Sequence, residues 1–129
     1  TFDLVASIET LALIGYAEFV GEAGRVLAPG GVISATAGVL DAPLLWTQAR
    51  FARLARENRL DLRAFTDITE PCLAALQLQA PANEAVVARL PRPLRAYARE
   101  WAVLPGSAQH AAYLAGRKKE FAVVLAKPG

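Results

Sequence analysis

Two side chains could exchange a proton with a bound molecule. Glu9 follows directly on the apolar run 2–8, so its carboxylate would lie at the end of a predicted strand. There it could orient a substrate hydroxyl or stabilise a developing positive charge. A carboxylate is also favoured at the start of a helix by the helix dipole, and this structural alternative stays open. His110 is the single histidine, and its use in catalysis is a hypothesis beside the more common case of a surface histidine on a helix.

Four aromatic side chains could line an apolar pocket for a small molecule: Trp46, Tyr97, Trp101 and Tyr113. Packing in the core is the alternative explanation for each of them taken alone. Cys72 has no nearby base in the sequence, and we interpret it as an inert thiol. One histidine without cysteine and histidine spacing does not make a zinc site, so no metal site is predicted.

Length and composition restrict the class of protein. The chain has 129 residues, 54% of them hydrophobic and 20% charged, which fits one domain with one core. The longest apolar stretches, such as 121–126, have the length of a strand, and a membrane span is therefore not expected. The net charge of +2 comes from interspersed acids and bases, so no nucleic-acid partner is expected. A single cysteine favours a reducing, cytoplasmic setting.

The first half of the chain reads as a βαβ unit. The apolar run 2–8 predicts a buried strand, and apolar residues at helical spacing predict a helix over 16–27. Pro29, Gly30 and Gly31 predict a sharp turn, and the apolar run 32–39 predicts a second strand. Such crossovers are right-handed and place the two strands in parallel, which indicates α/β architecture.

The second half adds helices and two further strands. A helix is predicted to open at Asp41 and Pro43 and to end near Asn58, and a strand with one partly solvated face is predicted over 60–68. Prolines between Pro71 and Gly106 predict short helical pieces, and together with a helix over 107–115 they suggest a helical lid at residues 71–109 within a partial domain of residues 1–129. The run 121–126 predicts a closing strand.

The start of the chain suggests a fragment. The sequence contains no methionine and begins with Thr1 directly before the first predicted strand. A long apolar edge strand left open promotes aggregation. We therefore expect an upstream partner sheet, on the same chain or on another chain, to cover residues 2–8.

Two segments resemble the fourth strand, the following helix and the fifth strand of class I S-adenosylmethionine-dependent methyltransferases: FDLVASIETL at residues 2–11 and RVLAPGG at residues 25–31. The tail, residues 113–128, looks like the last strand of that family, which is antiparallel and pairs with the strand read here as 60–68. The segment 67–70 is similar to members that methylate sugars, sterols and other small natural products. The implied fold is the C-terminal half of a Rossmann-like sheet, with two parallel strands, a terminal antiparallel strand and a helical lid.

The resemblance implies S-adenosylmethionine as cofactor. Ser7 and Ile8 would flank it, and Glu9 would lie beside its methionine part and the incoming substrate. The glycine-rich cofactor loop of the family, G-x-G-x-G after the first strand, is absent from this sequence. The chain therefore resembles the C-terminal half of an enzyme and is expected to be inactive alone.

The function implied is methyl transfer to a small, largely apolar molecule. Members that deprotonate a hydroxyl commonly carry a histidine shortly after the position of Glu9, where this chain has Ala12 and Leu13. This difference favours methylation of carbon or nitrogen, or a base supplied elsewhere. One alternative is a non-catalytic, truncated or degenerate subunit that pairs with another chain, and another is a carbon methyltransferase of the cyclopropane or sterol type.

Overall fold

Ten regular elements follow one another in the computed structural model, which describes residues 1–129. In chain order they are β1 (Phe2–Ile8), α1 (Leu11–Ile14), α2 (Tyr16–Val26), β2 (Leu27–Leu40), α3 (Leu44–Glu57), β3 (Asp61–Asp67), α4 (Thr69–Arg89), α5 (Arg92–Trp101), α6 (Ala108–Leu114) and β4 (Lys118–Ala126). None of the helices is both long enough and apolar enough to cross a membrane.

The four strands form one mixed sheet in the spatial order β1-β2-β4-β3. β1 and β2 run parallel, joined by the crossover through α1 and α2. β4 is inserted between β2 and β3 and is antiparallel to both, with Phe121 opposite Ala37 on one side and Asp67 on the other. The α/β prediction is confirmed, including the terminal antiparallel strand that pairs with the strand predicted at 60–68.

An aromatic cluster packs the core between the sheet and the helices α2 and α3. Phe51 and Phe121 are both fully buried, with ring centroids 5.5 Å apart. Phe65 stacks on Phe121 at 5.0 Å, and Tyr16 lies 5.0 Å from Phe51. Because side chains alternate along a strand, the neighbours of Phe121 on β4 point to the opposite face of the sheet. β4 thus supplies side chains both to the aromatic core and to the opposite face of the sheet.

β2 begins at Leu27 and includes residues 29–31, but the chain bends there as predicted: Gly30 has a φ of 79°, and the pairing of β2 with β1 is irregular at this point. The end of the chain holds this bent segment in the sheet. The Gly30 N–H donates to the carbonyl of Lys127 at 3.0 Å, and the Lys127 N–H donates to the carbonyl of Gly31 at 2.9 Å. The Lys127 ammonium donates to the carbonyls of Gly24 and Leu27 near the end of α2. These partners are about 100 residues away in sequence, so local patterns do not indicate them.

Prolines do not divide the helical segment as predicted. α4 is one helix of 21 residues that contains both Pro71 and Pro81. Pro71 is its third residue, where a backbone N–H has no partner within the helix anyway. Pro81 is exposed and removes one donor from the helix interior. α5 does begin after Pro91, with Pro93 in its first turn, and α6 agrees with the helix predicted at 107–115.

The outer edge of the sheet is apolar. β1 pairs on one side only, with β2. Its side chains Phe2 and Leu4 are each 60% exposed. The buried strand predicted at residues 2–8 is therefore buried in part only within this chain.

Replacing Phe121 by Ala should lower the free energy of unfolding by about 3–5 kcal/mol, because it opens a cavity at the centre of the aromatic cluster. Phe2→Ala is the matched control, since Phe2 lies on the exposed edge, and should cost less than about 1 kcal/mol. Urea unfolding followed by circular dichroism measures both. Equal losses for the two variants would contradict the placement of the core.

Candidate functional site

A cavity of about 930 Å³ lies where the end of β1 meets the helices α4, α5 and α6 and the start of β4. Its volume falls in the range of pockets that take small molecules. It contains carboxyl, amide, thiol and ammonium groups among apolar and aromatic side chains. The residues that line it include Ile8, Glu9, Cys72, Tyr97, Glu100, Trp101, Val103, Gln109, Tyr113, Lys118 and Glu120.

The end of β1 presents two of the predicted cofactor residues to the cavity. Glu9 is exposed and has a φ of 57°, a left-handed conformation that turns the chain away from the strand. Its N–H donates to the carbonyl of Thr36 at 2.9 Å, which fixes the turn. Ile8 is 76% exposed and lines the cavity, so it does not belong to the core of this chain. Ser7 is buried, and its Oγ shares a hydrogen bond with Thr10 Oγ1 at 2.5 Å.

Glu120 is the residue of the cavity that sequence reasoning missed. It precedes Phe121 on β4, so its side chain points to the face opposite the aromatic core. The side chain is only 4% exposed. Gly38 lies opposite it on β2 and makes room, because a Cβ at Gly38 would lie 2.7 Å from Glu120 Oε1. The available signal was a carboxylate directly before the apolar run 121–126.

Tyr113 and Glu120 are joined by a buried hydrogen bond in which the Tyr113 hydroxyl donates to Glu120 Oε1. The other carboxyl oxygen, Oε2, is buried and receives no hydrogen bond. Burial raises the pKa of Glu120, the hydrogen bond from Tyr113 opposes this change, and the charge of Glu9 adds to it. Burial and the neighbouring Glu120 also raise the pKa of Tyr113, which keeps its hydroxyl protonated as a donor.

The single ammonium group of the cavity is already partnered. Lys118 Nζ donates to Gln109 Oε1 at 2.8 Å and lies 5.0 Å from the centre of the Tyr113 ring. Cys72 also lines the cavity, and burial, followed by the charge of Glu120, raises the pKa of its thiol. The raised pKa disfavours the reactive thiolate, in agreement with the interpretation of Cys72 as inert.

Three of the four predicted pocket aromatics line this cavity. Tyr97 and Trp101 lie on α5 with ring centroids 6.3 Å apart and are 66% and 74% exposed, so core packing does not account for them. Tyr113 is buried at the base of α6. Trp46 does not join them; it lines a separate depression on α3, where the Arg50 guanidinium lies 5.8 Å from its ring. The predicted grouping of Trp46 with the other three is therefore wrong.

His110 is not among the residues that line the cavity. It lies in the first turn of α6, and its backbone N–H donates to Ser107 Oγ at 3.1 Å, which caps the helix. The imidazole is half-buried. Its participation in a reaction stays a prediction.

Charged side chains fix the helices over the cavity. The Glu100 carboxylate accepts hydrogen bonds from the N–H groups of Ala108 and Gln109 at 2.8 and 3.0 Å, joining α5 to α6, and these bonds lower its pKa. Arg99 joins α5 to α4 through Glu84 at 2.6 Å. Between α5 and α6, Val103 has a φ of 51°, a strained conformation for a β-branched residue. Both contacts lie at the C-terminal end of α5, next to the strained connection to α6.

No group of three or more histidine, cysteine, aspartate or glutamate side chains is arranged to hold a metal ion. No protein-family model matches the sequence, and no curated protein matches it either.

Solved structures match the fold over nearly the whole chain. A candidate sarcosine dimethylglycine methyltransferase from Galdieria sulphuraria superposes with a TM-score of 0.72 at 14% identity, covering 99% of this chain and 54% of that one. Phosphoethanolamine N-methyltransferase 2 of Haemonchus contortus, in complex with S-adenosylhomocysteine, gives 0.71 at 14% identity, with 99% and 34% covered. A mycolic acid cyclopropane synthase, also complexed with S-adenosylhomocysteine, gives 0.71 at 15% identity, with 97% and 55% covered.

This chain therefore has the fold of part of the class I S-adenosylmethionine-dependent methyltransferases, as the resemblance implied. It spans about half or less of the length of these structures.

The raised pKa of Glu120 makes stability fall as pH rises. A folded pKa above the unfolded value of about 4.3 means that the folded state holds the proton more tightly. The stability that Glu120 contributes is therefore present in full below the unfolded pKa, and it is lost as the pH rises through the folded pKa. The titratable groups that share the cavity with Glu120 and interact with it are Tyr113, Glu9, Lys118 and Cys72. Glu120→Gln should remove this loss, so that the variant resists urea better than the parent at the high-pH end.

Four other carboxylates have a lowered pKa, and the stability they contribute is lost as the pH falls through their folded pKa values. They are Glu22, Asp41, Asp67 and Glu100. Glu57→Gln is the control, since Glu57 is exposed on α3 in an ion pair with Arg53. Urea midpoints of the three proteins at intervals from about pH 4 to 9 provide the measurement. Parallel curves for the parent and Glu120→Gln would show that the buried carboxyl does not hold a proton more tightly when folded.

Proposed function

We propose that this chain is the C-terminal part of an S-adenosylmethionine-dependent methyltransferase that acts on a small, largely apolar molecule. The observation that carries the proposal is the cavity at the carboxyl end of β1, which combines Glu9 and Glu120 with the aromatic rings of Tyr97, Trp101 and Tyr113. In open α/β sheets, ligands bind outside the carboxyl ends of the strands. The methyltransferases with the same fold support the reaction type.

The residues at the end of β1 are compatible with a cationic methyl donor. S-adenosylmethionine supplies an electrophilic methyl group on a positively charged sulfur. The exposed carboxylate of Glu9 follows Ile8 at the turn, and a negative charge there favours a sulfonium nearby. Ser7 positions this turn through its hydrogen bond to Thr10. We assign Ser7, Ile8 and Glu9 to the methionine end of the cofactor, whereas the glycine-rich loop for the rest of it would come from outside this chain.

The helices over the cavity would position the acceptor and exclude water. Methyl transfer is an in-line displacement, so orientation and desolvation are the main contributions of the protein. Residues 71–109 are proposed as the lid, with Tyr97 and Trp101 facing the substrate. The bonds from Glu100 and Arg99 hold α5 in place. Ala12 and Leu13, in place of a histidine, favour a nitrogen or carbon acceptor over a hydroxyl.

The exposed edge of β1 supports the proposed partner. An upstream half of the same enzyme, or a partner chain, would pair with β1 and bury Phe2 and Leu4. A cytoplasmic location is proposed with it, because Cys72 is the only cysteine and is a free thiol.

A second candidate function is a non-catalytic subunit. The absence of a glycine-rich cofactor loop from these 129 residues favours it. Such a subunit would keep the pairing edge at β1 and would not use the cofactor even when paired.

Calorimetric titration with S-adenosylhomocysteine tests the proposal. The 129-residue chain should show no binding, because the loop that would hold most of the ligand is absent, and the same chain extended upstream should bind. Binding by the short chain would contradict the half-enzyme account. Binding by neither chain would favour the non-catalytic subunit.

The hypothesis that His110 is a general base predicts that His110→Ala lowers turnover of the extended chain about 100-fold. The helix cap should survive, because it uses the backbone N–H of His110 and the Ser107 side chain. Turnover is followed by the release of S-adenosylhomocysteine. Unchanged turnover would end the hypothesis.

A further inference from the structure

We propose that Glu120 and Glu9 form a paired-carboxyl site that binds the amino group of a small, largely apolar amine and accepts a proton from it. The amine is the class of substrate that this site would take. The binding step is a property of these residues alone, whereas the chemical step rests on the proposed methyl transfer.

The burial of Glu120 is the first argument. A carboxyl group that is 4% exposed loses its hydration, which is costly unless the protein or a ligand replaces the lost hydrogen bonds. The protein does so for one oxygen only, through the Tyr113 hydroxyl on Oε1. The position is nonetheless held firmly: the backbone N–H of Glu120 donates to Thr69 Oγ1 at 2.9 Å, and its carbonyl accepts from Ile68 N–H at 2.9 Å.

The unpartnered oxygen is the second argument. Glu120 Oε2 is buried, receives no hydrogen bond and belongs to a residue that lines the cavity. Buried polar atoms in native proteins nearly always have a partner, and exceptions occur where a ligand or a proton completes the site. A donor on a bound molecule, such as an amine N–H, would satisfy Oε2.

The second carboxyl group is the third argument. Glu9 lines the same cavity as Glu120, and its negative charge adds to the raised pKa of Glu120. Two carboxyl groups that face one cavity concentrate negative charge there. Such a pair attracts a cation and has room for one more proton.

The remaining charges and rings favour an amine over other donors. The Lys118 ammonium donates to Gln109 and lies over the Tyr113 ring, so it does not pair with Glu9 or Glu120. The negative charge of the two carboxyl groups therefore exceeds the positive charge of the cavity. Aromatic faces attract cations, and the rings of Tyr97, Trp101 and Tyr113 line the same cavity. The alkoxide that would develop on a hydroxyl acceptor would be repelled by two carboxyl groups. A carboxylate ligand would be repelled as well.

The proton balance of the reaction fits this pair. An ammonium group has no lone pair, so it first passes a proton to the carboxylate of the pair and becomes a neutral amine. The nitrogen then forms a bond to the methyl carbon while the carbon–sulfur bond breaks, and the electron pair of that bond stays on sulfur. The methylated nitrogen carries the positive charge that left the sulfur. Glu120, oriented by the hydrogen bond from Tyr113, is the acceptor of the first proton.

The binding step is tested with benzylamine, an apolar primary amine, against benzyl alcohol and benzoate on the 129-residue chain by calorimetry. We expect benzylamine to bind about tenfold or more tightly than benzyl alcohol, and benzoate to bind least. Glu120→Gln should weaken benzylamine binding about tenfold and leave benzyl alcohol unchanged. Glu57→Gln on α3 is the matched control and should bind like the parent.

A proton count separates ion pairing from a structural effect. A bound ammonium favours the ionised form of Glu120, whose pKa is raised in the free chain. Titrations in two buffers of different ionisation enthalpy should therefore show that benzylamine binding to the parent chain releases the proton held by Glu120 to the buffer, and that binding to Glu120→Gln does not. Glu9→Gln, at an exposed position where folding is not at issue, should also reduce both affinity and proton release. Equal benzylamine affinity in the parent and Glu120→Gln, or tighter binding of the alcohol, would overturn the inference. Failure of the extended chain to bind S-adenosylhomocysteine would overturn the proposed methyl transfer and leave these affinities unaffected.

Discussion

The insertion of β4 between β2 and β3 is the constraint on which the rest of the structure depends. As the central antiparallel strand, β4 bonds to both neighbours and supplies side chains to both faces of the sheet. Phe121, Val123 and Leu125 are fully buried against the core. Glu120, one residue before Phe121, points to the other face and into the cavity. A shift of one residue in register would place a carboxyl group in the aromatic core.

The coupling of core and cavity explains why a buried carboxyl is tolerated. The free energy from the aromatic cluster around Phe51 and Phe121 holds β4 in register, and this stabilisation offsets the cost of desolvating Glu120. Gly38 on the facing strand leaves space for the carboxyl group. The Tyr113 hydroxyl and the Thr69 side chain then fix its direction from α6 and α4. The site is thus rigid on the sheet side, whereas the aromatic rings on α5 are exposed.

Much of the fold follows from local patterns, and the errors have identifiable causes. The sequence patterns predicted α2, α3 and α6 and the four strands in their order along the chain. The sequence predicted short helical pieces where α4 is one helix, because prolines usually end helices. Pro71 does not do so, since it lies in the first turn, where no intrahelical bond is lost. The bend predicted at residues 29–31 lies within β2 and not before it, because backbone bonds with Lys127, at the far end of the chain, keep these residues in the sheet.

For the candidate site, the sequence by itself determined that Glu9 ends a strand and that Tyr97 and Trp101 share one helix face, because both depend on short spacings along the chain. Only the tertiary structure decided that Glu120 joins Glu9 and Tyr113, that Trp46 lies elsewhere and that His110 stays outside the cavity lining. These groupings depend on strand pairing and helix packing between residues up to about 110 positions apart. Burial of Glu120 and the vacancy at its Oε2 arise from that packing, which no local pattern of residue types encodes.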